Sequence, residues 1–520
     1  MENIRYEIEA EKPFSQSLIW QLNRDYYNKV GINAWRKGTV PHHLTSNSMV
    51  GKTYAELIFG FLKDLAYKGQ TKEKVYIIEL GTGHGRLSFH ILKHLGRLIG
   101  QTSLVLPPYC YVLSDIVEEN LDFFDTHPQF QPYYEQGLLD LTYFDAVEGK
   151  KLMLRRSGRE ISPQDLKQPL LVIANYFFDS IPSDLFYFKD KKISACSIAL
   201  EATENPEGMK KASTLLKKME LVFTKYPLEE PFYTEAILNE ILEEYRDLVF
   251  NTYLFFPHKG LQCVHNLRQL SQKGLILISM DKGDHEIHDL ENEKKPEMIT
   301  HGSMSFSVNY HAFAAYCKKQ GGKALFPSFS TFELELGCLF FLPETETYTE
   351  TQAAYQRVVD DYGPDDFHGH KKFMYKHIKN INLPELIGML RLAAYDSTLF
   401  RNVLPRLKKL STQLTFNERT RLAQTMRQTW DMYFTGIEPD DLAFEIAGIF
   451  YQLGFYEDAL TYFEYSVELF GYTADGYYNK ALCYYQLRKD MLFKRTVLEA
   501  KLHFAEENFD FLDNLDLKAV

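Results

Sequence analysis

Cysteine is scarce in this sequence, with six among 520 residues. Cys110, Cys196, Cys263, Cys317, Cys338 and Cys483 stand far apart. No C-x-x-C pair occurs, so neither a zinc site nor a disulfide framework is indicated, and no metal is expected. Free thiols fit a reducing compartment. Long apolar runs are missing too, so the chain is not expected to cross a bilayer. The opening MENIRYEIEAEKPF lacks the apolar core of a signal peptide. A soluble, cytoplasmic protein with no membrane partner is expected. Basic residues are in deficit, with 58 Lys and Arg against 70 Asp and Glu and a formal net charge of -12. Phosphate binding is dominated by Lys and Arg, which argues against a broad nucleic-acid face. The acidic balance fits a cationic ligand or a basic protein partner better.

What is present is a globular mixture. Hydrophobic residues make up 45% and charged residues 25%, enough to bury a sizeable core. The length suits about two to four domains. Residues 1–70 read as a mostly helical entry, with apolar positions three and four apart in SQSLIWQLNRDYY and MVGKTYAELIFGFLKDLAY. Residues 71–345 then alternate strand and helix. Short apolar runs predict strands at 75–80, 111–115, 141–145, 170–175 and 274–281, with a helix from Arg86 to about Leu98. Such alternation predicts a doubly wound parallel α/β sheet. Residues 146–169 read as a hairpin or loop, residues 190–255 as a larger insertion, and FELELGCLFFLP (332–343) as the last strand or pair of strands. The polar stretch 344–375 reads as a domain boundary, and residues 376–520 as almost purely helical.

That tail carries an internal repeat. Ala447, Tyr451, Gln452 and Leu453 recur 34 residues later as Ala481, Tyr485, Gln486 and Leu487, which is the tetratricopeptide period. The first copy resembles a tetratricopeptide repeat, with Gly454, Tyr456, Ala459 and Phe463 in typical places. Two copies bury little surface alone, so the helices from 384 to 433 are expected to complete the stack.

The chemistry-bearing segment is Glu79-Leu80-Gly81-Thr82-Gly83-His84-Gly85-Arg86. A strand feeds a tight turn whose glycines let the backbone approach a ligand, and the turn opens a helix. The G-x-G-x-G spacing differs from the G-x-G-x-x-G fingerprint that receives a dinucleotide pyrophosphate. S-adenosyl-L-methionine has no phosphate and carries an ammonium and a sulfonium, so an acid at the strand end, Glu79, suits it. Gly81, Gly83 and Gly85 would shape the cradle. Asp115, ending the next strand, would accept hydrogen bonds from the ribose hydroxyls. Asp145, ending the third, would lie near the adenine. Asn175, ending the fourth, would stand beside the transferred methyl, with Asp179 one helical turn on. A lone glycine turn is often only a turn; the acids at successive strand ends are what point to a ligand. His84 reads as a loop residue rather than a base. His42, His43, His285 and His288 show no zinc-ligand spacing and read as solvated or substrate-side histidines.

The same residues resemble the MidA-like methyltransferases, a family that includes the mitochondrial complex I assembly methyltransferase. HLTSNSMVGKTYAELI is similar to its helix entry, with Lys52 and Thr53 where Phe-Gly is frequent. IIELGTGHGRLSFHIL resembles its glycine motif, IANYFFDSIP its N-E-x-x-D-A-x-P motif, ISMDKG its fifth-strand D-Y-G, and HGSMSFSVNYHAFAAYCKKQGG its G-x-x-D-I-T segment. The resemblance covers residues 40 to 340. It implies a Rossmann-like, seven-stranded class I methyltransferase fold, S-adenosyl-L-methionine as cofactor and methylation of protein arginine. It implies that Glu79, Gly81, Gly83 and Asp115 hold the cofactor, and that Asn175, Asp179 and Pro182 shape the methyl-transfer site. Two positions depart: Tyr176 and Asn309 stand where the family has acids, and each removes a carboxylate suited to a guanidinium. The expected protein is thus a methyltransferase acting on a protein side chain, its substrate recruited through the helical repeats. A non-catalytic cofactor-binding scaffold is the alternative.

Overall fold

The computed structural model describes residues 5–36, 40, 44–202, 212–229, 231–291, 294–300, 303–329, 334–438, 440–507, 509 and 512. The chain forms two compact units. Met1–Ser46 and Val50–His370 make the first, and Asn47–Met49 with Lys371–Val520 make the second.

The first unit is built on one large sheet. Its strands are β1 (Val75–Leu80), β2 (Tyr109–Asp115), β3 (Leu139–Tyr143), β4 (Leu170–Asn175), β5 (Leu275–Asp284), β6 (Lys323–Leu325) and β7 (Leu334–Phe341). The spatial order is β6-β7-β5-β4-β1-β2-β3, and the short strand Val308–Asn309 pairs with the far end of β5 as an eighth member. β3, β2, β1, β4 and β5 run parallel, whereas β7 is antiparallel to both β5 and β6. All of β1 and β2 is buried, as expected of parallel strands covered on both faces. Tyr76, Ile78 and Leu80 of β1 point into a core shared with the helices Ala236–Leu248, His258–Gln269 and Tyr310–Lys319. The alternate positions face the other side of the sheet.

A second sheet, wholly antiparallel, joins Tyr6–Pro13, Asp184–Lys189, Lys192–Ala202, Met219–Pro227 and Asn251–Phe256. Its side chains alternate between two cores with the two-residue period of a strand. Phe186, Phe188, Leu254 and Phe256 enter the core of the large sheet, while Leu185, Cys196, Ile198 and Leu200 pack with Phe14, Trp20, Met304 and Phe306.

Several expectations shift. The N-terminal stretch is not helical throughout, because Tyr6–Pro13 adds a strand to the second sheet. Its alternating charges (EIEAEK) hide it from a search for apolar runs. The insertion expected at 190–255 starts with the strand at Asp184. β2 begins at Tyr109 rather than Tyr111, and the third strand is Leu139–Tyr143 rather than 141–145, so Asp145 lies two residues beyond it. Asp140 interrupts the apolar run of β3, and β2 starts directly after the pair Pro107-Pro108. The hairpin expected within 146–169 pairs Leu152–Met153 with Glu160–Ile161.

The polar stretch 344–375 is structured as well. It contains the helix Thr349–Tyr355, in which Thr351, Ala354 and Tyr355 are buried. The carboxylate of Asp64 accepts from the backbone N–H groups of Glu350 and Thr351 and from the Thr351 hydroxyl, and the Tyr355 hydroxyl donates to Leu336 O of β7.

The second unit is helical. It runs through Leu383–Leu392, Ser397–Leu410, Phe416–Asp431, Leu442–Leu453, Tyr456–Phe470, Ala474–Gln486 and Asp490–His503. Capping boxes at Asn382/Glu385 and Thr415/Glu418 open two of them, and Gly454, left-handed at φ 83°, closes the fourth. The repeated positions are equivalent in packing: Ala447 and Ala481 are both fully buried, and Ala459 and Phe463 are buried like their counterparts Phe493 and Val497.

The helix after β7 belongs to the fold of the first unit, so its removal has a measurable cost. A chain ended after His377 keeps it; a chain ended at residue 345 strips Asp64 of its three donors. Leaving such a group unpaired costs about 1–3 kcal/mol, more when charged. Thermal denaturation should show the shorter chain melting clearly below the longer one, and equal melting temperatures would contradict this.

Candidate active site

The site is built on the turn after β1. Gly81 and Gly83 both have positive φ, 61° and 68°, which glycine adopts without a Cβ clash. A Cβ on Gly81 would stand 3.0 Å from the Phe177 ring, and one on Gly83 would stand 3.1 Å from the Trp35 ring. Gly85 opens the helix Arg86–Gly100, packed against Phe124 and Phe130. The turn is tied to the end of β2. Thr82 N donates to Ser114 O at 2.9 Å, Ser114 Oγ donates to Glu79 O at 2.7 Å, and Gly83 N donates to a carboxylate oxygen of Asp115 at 3.0 Å.

The expected acids sit around this turn. Glu79 is buried and accepts from the Ser88 hydroxyl at 2.5 Å and the Tyr111 hydroxyl at 2.7 Å. Burial pushes its pKa up to about 7, although both hydrogen bonds act the other way. Asp115 is also buried; its second oxygen accepts from Val117 N at 2.9 Å. Burial raises it to about 6, against the pull of the backbone donors. Asp145 accepts from Val147 N and forms an ion pair with Arg24 of the helix Leu18–Val30.

Two adjoining cavities open at the carboxyl ends of β1 and β4. Strand order reverses there, which is where open α/β sheets bind ligands. One cavity, of 160 Å³, is lined by Glu79, Thr82, His84, Asn175, Asp179 and Lys282, among others. The other, of 300 Å³, is lined by Arg24, Asp115, Phe144, Asp145, Val147 and Pro182, among others. Tyr27, Trp35, Gly81, Gly83 and Tyr176 line both. The structure therefore brings Glu79, Gly81, Gly83, Asp115, Asp145, Asn175 and Asp179 to one two-lobed cleft, and Gly85 lies behind it.

Beside Asn175 the backbone is strained. Tyr176 has φ 49°, an uncommon conformation for a non-glycine residue and one that collects at functional sites. Its N–H donates to Met280 O at 2.9 Å. The Asn175 amide is engaged at both ends. Its oxygen accepts from the Tyr54 hydroxyl at 3.3 Å and its nitrogen donates to Thr45 O at 3.1 Å, so it ties the Leu44–Ser46 segment to the strand end. Asp179 lies in the turn Phe178–Ser180, hydrogen-bonded to Ser305 and Ser180. Burial raises it to about 7. Beneath it, the wholly buried Asp281 accepts from Phe177 N at 3.0 Å and Asp179 N at 3.2 Å. Burial and the neighbouring Asp179 push Asp281 well above the usual carboxylate range.

Other expected residues fall elsewhere. Asn309 does not line the cleft. It caps the helix Tyr310–Lys319 through Ala312 N at 2.9 Å and donates to Phe255 O at 2.9 Å. Asn caps a helix as well as Asp does, so this departure from the family pattern removes no charge from the cleft. His285 pairs with Glu335 at 2.9 Å and stacks on Phe326 rather than facing solvent; His288 is exposed. His84 is buried, accepting from Arg86 N at 3.1 Å. His42 and His43 lie outside the described residues. All six cysteines are buried and free. Among the described residues no His, Cys, Asp and Glu group suits a metal, and no helix is long and apolar enough to cross a membrane. Arg24, Tyr27 and Trp35 were not singled out from the sequence, and Lys282 and Ser303–Ser305 stood there only within the ISMDKG and HGSMSF segments. They reach the cleft through tertiary packing, and only the aromatic spacing of the first helices hinted at a buried face.

The cleft fits an elongated cationic ligand: buried acids stand in both lobes and a narrow glycine floor joins them. Residues 60–281 match the model of a family described as "Putative S-adenosyl-L-methionine-dependent methyltransferase". The expected cofactor, S-adenosyl-L-methionine, is the one this family's description names. Two crystal structures from Burkholderia thailandensis are similar to the chain at 14% identity. One is an uncharacterized superfamily protein, covering 61% of this chain and 73% of its own at a TM-score of 0.38. The other, a superfamily member bound to S-adenosyl-homocysteine, covers 62% and 75% at a TM-score of 0.39. No curated protein matches the chain.

The raised acids make binding pH-dependent. Because the folded-state pKa values of Glu79 and Asp115 lie above ordinary carboxylate values, the stability they contribute is complete below about pH 4. It is lost as pH rises through about 6 to 7. A cationic ligand selects the ionised forms, so its affinity runs the other way. Calorimetric titration with S-adenosyl-L-methionine should show affinity rising about tenfold from pH 6 to pH 8, and a flat profile would remove Glu79 from ligand recognition. At pH 8, Asp115→Ala should weaken binding at least about tenfold, from the loss of charged hydrogen bonds; unchanged affinity would remove Asp115 from the site.

Proposed function

We propose that this chain is a methyltransferase that transfers the methyl group of S-adenosyl-L-methionine to a protein side chain, arginine by family resemblance. The observation that carries this reading is the two-lobed cleft, with Asp115 in one lobe, Glu79 in the other and the glycine turn between them. The order of the seven-strand path, reversing between β1 and β4, supports a class I methyltransferase sheet. S-adenosyl-L-methionine, when bound, supplies a methyl group activated by its sulfonium.

The chain's own residues do the rest. Asp115, which lines the larger lobe, binds the ribose diol. Phe144 to Val147, with Asp145 held by Arg24, receive the adenine. Ionised Glu79 attracts the ammonium end. The acceptor enters beside Asn175 and Asp179. Asn175 holds the Leu44–Ser46 segment and so positions the acceptor, while Asp179, whose pKa lies at about 7, binds a positive charge and takes up the released proton. This carboxylate supplies what Tyr176 lacks. Alignment and charge placement are the main sources of catalysis in such a displacement. The paired helices of the second unit, with their tetratricopeptide-like 34-residue spacing, recruit the protein substrate, since such repeats present extended binding surfaces. The acidic composition suits a basic partner in the cytoplasm.

Transfer of radiolabelled methyl from S-adenosyl-L-methionine to lysate proteins tests the reading. Asp179→Asn should keep cofactor affinity within a few-fold yet lower transfer at least about 100-fold, the low end for a positioned acid–base group. Asn175→Ala should lower transfer in the same assay. Full transfer by Asp179→Asn would remove Asp179 from the chemistry. No transfer by the unmodified protein to any acceptor would favour a cofactor-binding scaffold, a reading supported by the structural bonds that the Asn175 amide makes at both ends.

A further inference from the structure

The junction between the two lobes is aromatic. Tyr27, Trp35 and Tyr176 line both cavities above the Gly81–Gly83 floor. The Trp35 ring lies on the turn itself, since a Cβ on Gly83 would come within 3.1 Å of it. Its orientation is held from two further sides. It stacks on Tyr27 with centroids 5.8 Å apart and planes 24° apart, and it meets His84 edge-on at 5.7 Å. Tyr27 is itself held by a hydrogen bond with Ser303. Trp35 precedes the segment 60–281 that matches the family, so this wall is contributed by the chain's own N-terminal helices.

We infer that Trp35, backed by Tyr27, recognises the positive charge on the sulfur and so separates the sulfonium donor from its neutral thioether product. The inference rests on the cofactor reading above. With adenosine in the Asp115 lobe and the amino-acid end in the Glu79 lobe, the sulfur lies at the junction, against the aromatic faces. A cation over an aromatic face is attracted by the ring's quadrupole, most strongly by indole. The acids at the two ends hydrogen-bond the same ribose and ammonium in donor and product, and their longer-range pull on the sulfonium is unchanged when only the ring is altered. The ring face meets a charge in the donor and none in the product. Discrimination of this kind lets product leave while fresh donor is retained.

Calorimetric titration of the full chain at pH 8 with S-adenosyl-L-methionine and S-adenosyl-homocysteine tests this. Trp35→Leu should weaken donor binding at least about threefold more than product binding, whereas Trp35→Phe should keep part of the preference. Fluorinated tryptophan, which drains the ring face at nearly unchanged shape, should lower donor affinity about twofold and leave product affinity unchanged; this reading stands even if Trp35→Leu fails to fold. Equal losses for both ligands, or a preference untouched by fluorination, would overturn the inference while leaving the cofactor reading intact. Binding of neither ligand by the unmodified protein would overturn both.

Discussion

The hydrogen bond from Gly83 N to the Asp115 carboxylate joins the ends of the neighbouring parallel strands β1 and β2, beside the point where the sheet reverses its order between β1 and β4. With the Thr82 and Ser114 bonds beside it, it fixes a left-handed glycine turn that no ordinary residue would hold cheaply. The turn forms the floor of both cavities, and it brings Trp35 and Phe177 within van der Waals reach of the backbone. Asp115 has two roles in this arrangement. It organises the protein through backbone donors, and it presents a buried charge to the larger lobe.

Electrostatics sets the character of the cleft. Glu79, Asp115 and Asp179 are all buried, and burial raises the pKa of each. Ionised carboxylates are costly to bury without a counter-charge, and that cost is what raises all three. Asp281 sits one layer deeper. Its carboxyl receives three backbone N–H groups, from Phe177, Asp179 and Lys282, and so shapes the turn that carries Tyr176 and Asp179. Strain at Tyr176 is held in place by that anchoring from below and by its bond to Met280 O. The aromatic wall from the first helices faces the same opening, beside these acids.

What the sequence revealed follows from how each element is stabilised. Strands buried on both faces are continuous apolar runs, so β1 and β4 were legible to the residue, and the glycine turn between strand and helix was legible with them. Asp140 concealed the start of β3 and left Asp145 two residues past its strand, and the start of β2 was concealed by the proline pair before it. Tyr6–Pro13 carries charge at alternate positions and finds its stability in pairing with distant residues, which local pattern does not report. Thr349–Tyr355 looked like a polar linker because its buried face is short and its anchor, Asp64, lies far away in sequence. Glu79 and Asp115 were readable because each stands at or next to the end of an apolar strand beside the glycine turn. Trp35, Tyr27 and Arg24 were not, because their place in the cleft depends on how the first helices pack over the sheet. Asn309 looked like a lost catalytic charge and is a helix cap.

The central claim is that one ligand spans both lobes across the glycine turn. A crystal structure of the chain grown with S-adenosyl-homocysteine tests this most directly. Difference density is expected for adenine beside Phe144 to Val147, a ribose diol on Asp115, the sulfur against Trp35 and the amino-acid end in the Glu79 lobe. Density for the ligand outside this cleft, or in it with adenosine and amino-acid ends exchanged, would contradict it.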